Sequence, residues 1–286
     1  MSSVTFSIVV PTLGRVQEIA RLIESLERQT LNDLEVIIVD QNDDDRLGQM
    51  LSGLEPTIPV QRMWVPGQRG ASRARNTGLK EVKGDYVVFA DDDCWYPPEL
   101  LQNVTDLFKQ ENVDVIGGRA VDETGKTING RFEETVQDIT ATNVWTTSIE
   151  WMLFFRREVL ETLGGFDEAV GVGADSPWQS AEGQDIVIRA LKCGFKCVYY
   201  PDVTGHHLEL NIFQPDDKML KKARAYARGM GFVLRKHDYG LLSVMDWVGR
   251  PAGAAVLCTA RLQLSRARYY AGVATGRLEG FMRHVL

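Results

Sequence analysis

Four short apolar runs, separated by helical patterns, restrict the first 90 residues of this chain to few folds. The runs are rich in β-branched residues and show little apolar–polar alternation, which is typical of strands covered on both faces. They occupy residues 6–10, 35–39, 60–65 and 85–90. An amphipathic helical stripe from Ile19 to Leu26 separates the first two. This order predicts an α/β fold with a mostly parallel sheet, which binds its ligands at the carboxyl ends of the strands.

The rest of the chain falls into two regions with different patterns. Helix patterns cover residues 71–82 and begin again near the proline pair at 97–98. After a polar stretch at 118–150, apolar runs resume and continue to about residue 200. From residue 214 the pattern is helical to the end. We therefore expect an α/β domain over residues 1–213 and a helical extension over residues 214–286.

The two regions carry opposite net charge. Residues 1–213 contain 19 Lys/Arg and 34 Asp/Glu, whereas residues 214–286 contain 13 and 5, for a total of −7. A basic tail on an acidic body indicates a second surface, and anionic membranes or nucleic acids are the usual partners. The interleaved Leu, Tyr and Phe residues favour an interfacial membrane element, so we expect no nucleic-acid partner.

Other global features are typical of a cytoplasmic protein. No run of about 18 uncharged apolar residues occurs, so a spanning helix is not expected. The N-terminus lacks the basic region of a signal peptide. The four cysteines show no metal-ligand spacing and are expected to be reduced thiols. We predict a cytoplasmic protein, peripheral on the inner face of the plasma membrane.

Three consecutive aspartates, Asp91, Asp92 and Asp93, directly follow the run at 85–90. Adjacent carboxylates repel one another, so a positive partner is expected there. Asp91 and Asp93 form a D-x-D, and Mg²⁺ or Mn²⁺ can bind through such a short acidic cluster together with substrate phosphates. The alternative is a solvated acidic turn.

Polar groups also follow the other strands of the predicted sheet. Pro11 and Thr12 end the first strand and could present backbone groups to a nucleoside. Asp40 ends the second strand and could accept a hydrogen bond from a base N–H, or could cap a helix. The loop at 67–79 is rich in Gly and Arg and enters a helix, which suits a diphosphate, although its arginines could also be a solvated helix face.

These motifs together resemble the family 2 inverting glycosyltransferases of the A-type fold. The similarity spans about residues 4–210 and is carried by SIVVPTLGR, VIIVDQN, GASRARNTGL, YVVFADDDCWYPPELL, FFRREVLETLGGFDE and YYPDV followed by a histidine pair. It implies a Rossmann-like sheet, a nucleotide-sugar donor that is usually UDP-linked, a divalent Mn²⁺ or Mg²⁺, and inversion at the anomeric carbon. The acceptor would be a saccharide hydroxyl, lipid-linked in view of the tail, in bacterial polysaccharide biosynthesis.

The resemblance also implies roles for individual residues. The metal would bind Asp91, Asp93 and His207. Adjacent side chains on an extended segment point in opposite directions, so His206 is expected to be structural. The nucleotide sugar would contact the following residues: Pro11, Thr12, Asp40, Arg75, Asn76, Asp91 and Asp92.

The catalytic base is the point where this sequence departs from the family. The family commonly has Glu-Asp at the start of a helix, with the Asp deprotonating the acceptor hydroxyl. Here Glu182 takes the Glu position and Gly183 takes the Asp position. Glu182 and Asp185 lie three residues apart on one helix, and we prefer Asp185 as the base, with Glu182 as the alternative. Either residue could instead only cap the helix.

Two other functions compete with this interpretation. A sugar-phosphate nucleotidyltransferase also needs an α/β sheet and a metal-binding aspartate, but the segment after the first strand has only one glycine, Gly14. A non-catalytic nucleotide-binding or membrane-docking module would tolerate a degenerate site, and Gly183 favours it.

Overall fold

A computed structural model describes residues 5–209 and 214–285. Within them, eight strands form one sheet in the order β3-β2-β1-β4-β7-β5-β8-β6. The strands are β1 (Phe6–Thr12), β2 (Leu34–Asp40), β3 (Val60–Trp64), β4 (Tyr86–Phe89), β5 (Val115–Val121), β6 (Gln137–Asp138), β7 (Leu153–Arg156) and β8 (Cys197–His206). Strands β1 to β4 pair in parallel, as do β5 and β8, whereas β7 and β6 run antiparallel to their neighbours. The predicted α/β fold with a mostly parallel sheet is confirmed.

Helices connect the strands and continue beyond the sheet. Those of the α/β part are α1 (Gln17–Glu27), α2 (Arg46–Ser52), α3 (Ala71–Leu79), α4 (Leu100–Gln110), α5 (Val144–Thr147), α6 (Arg157–Leu163) and α7 (Glu182–Lys192). A short 3₁₀ helix, Glu150–Met152, precedes β7. The C-terminal part contains α8 (Asp217–Lys236), α9 (Leu241–Ala260) and α10 (Leu264–Met282).

Two apolar layers cover the two faces of the sheet. Successive residues of β1 alternate between them, with Ile8 in the layer that contains α1 and α4, and Val9 in the layer that contains α7. Because both faces are buried, every residue of β1 and β2 is buried, and the strands lack apolar–polar alternation. This arrangement leaves the carboxyl ends of the parallel strands as the open edge where a ligand can bind.

The C-terminal helices pack tightly against the α/β part. Gly229 of α8 lies against the backbone of Ser180, so that an ideal Cβ at position 229 would be 2.3 Å from the Ser180 carbonyl oxygen. Helices α8 and α10 approach each other just as closely at Gly280, where a Cβ would lie 2.0 Å from the Arg228 carbonyl oxygen. At the same interface the fully buried Glu279 pairs with Arg224 and Arg228. The extension therefore helps to build the cleft described below.

Helix α9 differs from its neighbours because much of its apolar surface is exposed. In length and composition its 20 residues would suffice to cross a membrane, with a mean hydropathy of 1.2 and 17% of the window buried. This finding differs from the expectation that no segment could span a membrane. The exposed apolar side chains of α9, of the turn to α10 and of the first residue of α10 are Leu241, Leu242, Met245, Val256, Leu257, Leu262 and Leu264.

Candidate active site

A cleft of about 1010 Å³ opens at the carboxyl ends of β1 and β4. One part of its lining comes from the strand ends and from α3 and α7, and a second part, the outer wall, comes from α8 and α10. The three aspartates at 91–93 lie along this cleft, at the end of β4. The fold thus brings the sequence-predicted acidic cluster to the place where α/β sheets bind ligands.

Each of the three aspartates has a cationic partner in the protein, and Asp92 and Asp93 share Arg15. Asp91 pairs with Arg75 (3.3 Å), and Asp92 pairs with Arg15 Nε (3.0 Å). Asp93 pairs with Arg15 Nη2 (2.5 Å) and with His207 Nε2 (2.9 Å). The positive charge that the sequence requires is therefore supplied in part by the chain itself.

The three carboxyls differ in their acidity because their surroundings differ. Burial opposes ionisation of Asp93, but His207 and Arg15 outweigh it and lower the pKa of this carboxyl. Burial raises the pKa of Asp92 to about 7, against the hydrogen bond from Thr12 Oγ1 (2.8 Å). Burial likewise raises the pKa of Asp91 despite Arg75. Asp93 is thus the most firmly ionised member of the cluster.

An antiparallel bridge between two chain segments brings His207 to the acidic cluster. Trp95 N donates to the His206 carbonyl oxygen (3.1 Å), and His206 N donates to the Trp95 carbonyl oxygen (2.8 Å). The His206 ring stacks on Trp95, whereas the His207 ring points to Asp93. The histidine pair therefore has the opposite orientations expected from an extended segment.

Asp91, Asp93 and His207 could together hold a metal ion. Two carboxylate oxygens and one ring nitrogen from these residues all lie within 4.8 Å of one another. Burial opposes the charged form of His207, but the hydrogen bond to Asp93 raises the pKa of this histidine. These are the three residues that the sequence predicts as metal ligands.

Arg75 contacts the acidic cluster through Asp91 and connects α3 to α7 through Glu182. Its side chain is 2% exposed and donates to Glu182 Oε1 (2.8 Å) as well as contacting Asp91. Helix α7 begins at Glu182, and the N-cap residue before it, Ala181, has a left-handed conformation (φ 74°) and also lines the cleft. Glu182 is thus at the site, but its carboxylate is held by a buried cation.

Pro11 and Thr12 line the cleft, whereas Asp40 lies behind its wall. Asp40 is fully buried and accepts hydrogen bonds from Arg62 (2.8 Å) and Asn42 (2.7 Å). The predicted contact between Asp40 and a nucleobase would require these partners to move. Its neighbour Gln41 lines the cleft instead.

Asn76 also lies outside the cleft, although Arg75 beside it lies within. The Asn76 amide donates to the Phe166 carbonyl oxygen (2.9 Å) and accepts from Phe166 N (2.8 Å). Adjacent residues of a helix point in different directions, so in the A-R-N element Arg75 lines the cleft, whereas Asn76 contacts the loop at Phe166. Asn76 has a structural contact here and not the predicted nucleotide-sugar contact.

Asp185, the preferred base, does not line the cleft. Its carboxylate accepts from His237 Nε2 (2.8 Å) and pairs with Lys236 Nζ (2.7 Å) and Arg189 Nε (3.3 Å). Burial opposes its ionisation, but His237 and Lys236 outweigh it and lower the pKa of Asp185. The structure therefore gives Asp185 a role in joining α7 to α8, and its placement does not support the preference for it as the base.

Similarity to known proteins agrees with this geometry. The sequence profile described as "Glycosyl transferase family 2" matches residues 7–164, more than half of the chain. The chain belongs to glycosyl transferase family 2. The uncharacterized glycosyltransferase EpsJ of Bacillus subtilis is 29% identical over 185 residues, which cover 60% of this chain and 54% of EpsJ. The matched region is thus only about half the length of that relative.

Two solved structures share the fold of this family 2 chain. Staphylococcus aureus TarS residues 1–349, in complex with UDP, has a TM-score of 0.58 and 18% identity, and the match covers 98% of this chain and 92% of TarS. The mannosyltransferase PcManGT of Pyrobaculum calidifontis, in complex with GDP-Man and Mn²⁺, has a TM-score of 0.65 and 17% identity, with coverage of 97% and 87%. At these identities the likeness shows the A-type fold.

Several cleft residues of this family 2 chain were not singled out from sequence. Arg15 follows the PTLG segment at the end of β1, so its position next to the strand end was a usable signal. Glu150 lies in the weakly patterned stretch before β7 and had no such signal. Lys218, Tyr226 and Arg277 come from the C-terminal helices, which fold back over the site.

Proposed function

We propose that the protein is a metal-dependent inverting glycosyltransferase. It transfers a hexose from a nucleoside diphosphate sugar, UDP-linked, to a hydroxyl of a saccharide acceptor. The observation that carries this proposal is the convergence of Asp91, Asp93 and His207 in the cleft of a family 2 chain. The nucleotide complexes of TarS and PcManGT support a nucleotide-sugar donor.

The donor set fits a divalent cation. Two carboxylates favour Mg²⁺ or Mn²⁺, and the imidazole nitrogen makes Mn²⁺ the better candidate because Mg²⁺ takes oxygen ligands. When bound, the metal would stabilise the negative charge of the departing nucleoside diphosphate. Arg69 also lines the cleft, next to the start of α3, and its charge and the helix N-terminus suit the same diphosphate.

We propose that the acceptor is an anionic, lipid-linked saccharide. The outer wall of the cleft carries Lys218, Lys222 and Arg277, all from α8 and α10. Burial lowers the pKa of Arg277 to about 10, which still leaves this guanidinium charged at neutral pH. Three cations in this part of the lining suit a phosphate or diphosphate that joins a saccharide to its lipid.

Helix α9 has an exposed apolar surface that could bind the membrane in which a lipid-linked acceptor lies. Leu242, Met245 and Val256 recur on one face and are 83%, 68% and 70% exposed. Arg277 of α10 donates to the Trp247 carbonyl oxygen, so a spanning α9 would draw the charged α10 into the bilayer. This favours an α9 that lies in the membrane interface, at the inner face of the plasma membrane.

The function is tested with a panel of nucleotide sugars. Thermal shift with Mn²⁺ identifies the nucleotide that binds, and nucleotide release is then measured with and without EDTA. We expect one nucleotide sugar to raise the melting temperature and to be turned over only with metal. Binding without release under any condition would favour the non-catalytic module. Consumption of a nucleoside triphosphate and a sugar phosphate, with pyrophosphate release, would favour a nucleotidyltransferase.

A further inference from the structure

The acidic residues around the cleft differ in how their charge is compensated. Asp92 is paired with Arg15, and Asp93 is paired with Arg15 and His207. Glu182 pairs with the buried Arg75, and Asp185 lies outside the cleft. Among residues 5–209 and 214–285, Glu150 and Asp216 line the cleft without a salt bridge, but Asp216 caps α8 by accepting a hydrogen bond from Met219 N (2.7 Å). Glu150 is therefore the cleft carboxylate with the fewest competing interactions.

The start of α7 is shaped to receive Glu150. An ideal Cβ at Gly183 would lie 2.9 Å from the Cβ of Glu150 and 3.0 Å from its Cα. The positions of the Cα and Cβ atoms of Glu150 are fixed by the backbone of the 3₁₀ helix, so no rotamer change of Glu150 would relieve the contact. Position 183 can hold a side chain only if this helix moves, and the absence of a side chain there lets Glu150 occupy the space.

We propose that the Glu150 carboxylate is the general base of this enzyme. The inference rests on the proposed glycosyl transfer. The acceptor oxygen forms a bond to the anomeric carbon, the bond from that carbon to the diphosphate oxygen breaks, and its electron pair leaves with the nucleoside diphosphate. The acceptor proton passes to Glu150, which becomes a neutral carboxylic acid.

The surroundings of Glu150 favour its protonated form, so its carboxylate is a stronger base than an ordinary one but must be ionised before the transfer. Burial raises its pKa to about 8, and the nearby charges of Glu182 and Asp91 add to the effect. Glu150 supplies the carboxylate that position 183 lacks, so Gly183 does not make the site degenerate. The carboxylate comes from a different element, the 3₁₀ helix before β7.

The test compares Glu150→Gln with the exposed control Glu158→Gln, using the nucleotide sugar that the wild type turns over. Donor hydrolysis, in which water is the acceptor, and transfer to an extract of lipid-linked saccharides are both measured. We expect Glu150→Gln to lower turnover by about 10²-fold or more. Donor affinity, measured by calorimetry with Mn²⁺, should change by less than about threefold. Glu158→Gln should match the wild type.

A second variant separates a base from a merely positioning residue. Sodium formate should restore part of the turnover of Glu150→Ala in a concentration-dependent way, because formate can replace a missing carboxylate base. Three results would overturn the inference. Glu150→Gln could keep more than a third of wild-type turnover, it could lose turnover and donor affinity equally, or formate could fail to restore the turnover of Glu150→Ala. If the wild type itself turns over no nucleotide sugar, the proposed function fails, and the inference fails with it.

Discussion

At the scale of single residues, the neighbouring aspartates of the acidic cluster differ in how readily they ionise. Asp93 is held ionised by His207 and Arg15, whereas Asp92 has a pKa of about 7 and accepts a hydrogen bond from Thr12. The difference arises from the partners that reach each carboxyl and not from the sequence position. It follows that substitutions at these neighbouring positions should have unequal effects on metal binding.

The first prediction compares Asp93→Asn with Asp92→Asn. Asp93→Asn removes a candidate metal ligand and should lower turnover by roughly 10²-fold or more, with a weaker response to added Mn²⁺. Asp92→Asn keeps the shape and can still accept from Thr12, so its apparent affinity for Mn²⁺ should stay close to that of the wild type. Nucleotide release during a Mn²⁺ titration checks both. Full activity of Asp93→Asn, or wild-type activity in EDTA, would contradict the metal assignment.

A second prediction at this scale concerns pH. Burial, aided by Glu182 and Asp91, raises the pKa of Glu150 from 4.5 to about 8. Between these values the unfolded chain is ionised at this position while the folded chain is protonated, so Glu150 makes stability fall as the pH rises. Metal-free Glu150→Gln lacks this contribution, so its melting temperature should increase relative to that of the metal-free wild type as the pH is raised from 5 to 8. A constant difference across this range would show that Glu150 is not desolvated.

At the scale of elements, α7 carries two acidic residues that face different environments. Glu182, in the first turn, meets Arg75 of α3, whereas Asp185 meets Lys236 and His237 at the end of α8. The sequence predicts the helix and the three-residue spacing. It contains no information on which other elements approach each side, and that decides which carboxylate lies at the cleft.

The third prediction follows from the placement of Asp185. Asp185→Asn loses a buried charge paired with Lys236 and should lower the free energy of unfolding by about 1–3 kcal/mol at neutral pH. The lowered pKa of Asp185 means that its contribution is present above its ordinary value of 3.8 and is lost as the pH falls further. Turnover per folded molecule should stay within about threefold of the wild type. Unchanged stability with a 10²-fold loss of turnover (a loss of roughly the size expected for a base) would make Asp185 the base.

The sequence predicts features that depend on local patterns, but it does not predict which distant segments pair or pack together. Strands β1, β2 and β4 are recognisable because both of their faces are buried. The insertion of β7 between β4 and β5 is a matter of pairing between distant segments, which periodicity does not encode. Thr12 lies at the cleft as expected from a strand end, whereas Asp40 is sequestered by Arg62 from the neighbouring strand.

At the scale of the whole molecule, the C-terminal helices are part of the cleft and not a separable appendage. Tyr269 and Arg277 of α10 line it, and Glu279 ties α10 to α8. A truncation that removes α9 and α10 would therefore remove part of the outer wall. Because such a deletion would also alter the cleft, membrane binding has to be tested by surface substitutions.

The final prediction concerns the exposed apolar face of α9. The full chain should co-sediment with vesicles rich in anionic phosphatidylglycerol, and raised salt should weaken this binding in part, because salt screens charge but not apolar insertion. Leu242 and Val256 are 83% and 70% exposed. Burying one such side chain is worth roughly 1.5–3 kcal/mol, so the double variant Leu242→Glu/Val256→Glu should bind at least about tenfold more weakly.

Thr162→Glu is the control, because Thr162 is exposed on α6, outside the C-terminal helices. It adds a negative charge without touching the apolar face, so its vesicle binding should stay close to that of the wild type. Donor hydrolysis in solution should be the same in all three proteins, because neither substitution reaches the cleft. If the wild type does not sediment with these vesicles at low salt, or if both variants lose binding equally, α9 does not dock on the membrane through this face. Its apolar surface would then have to be covered by protein.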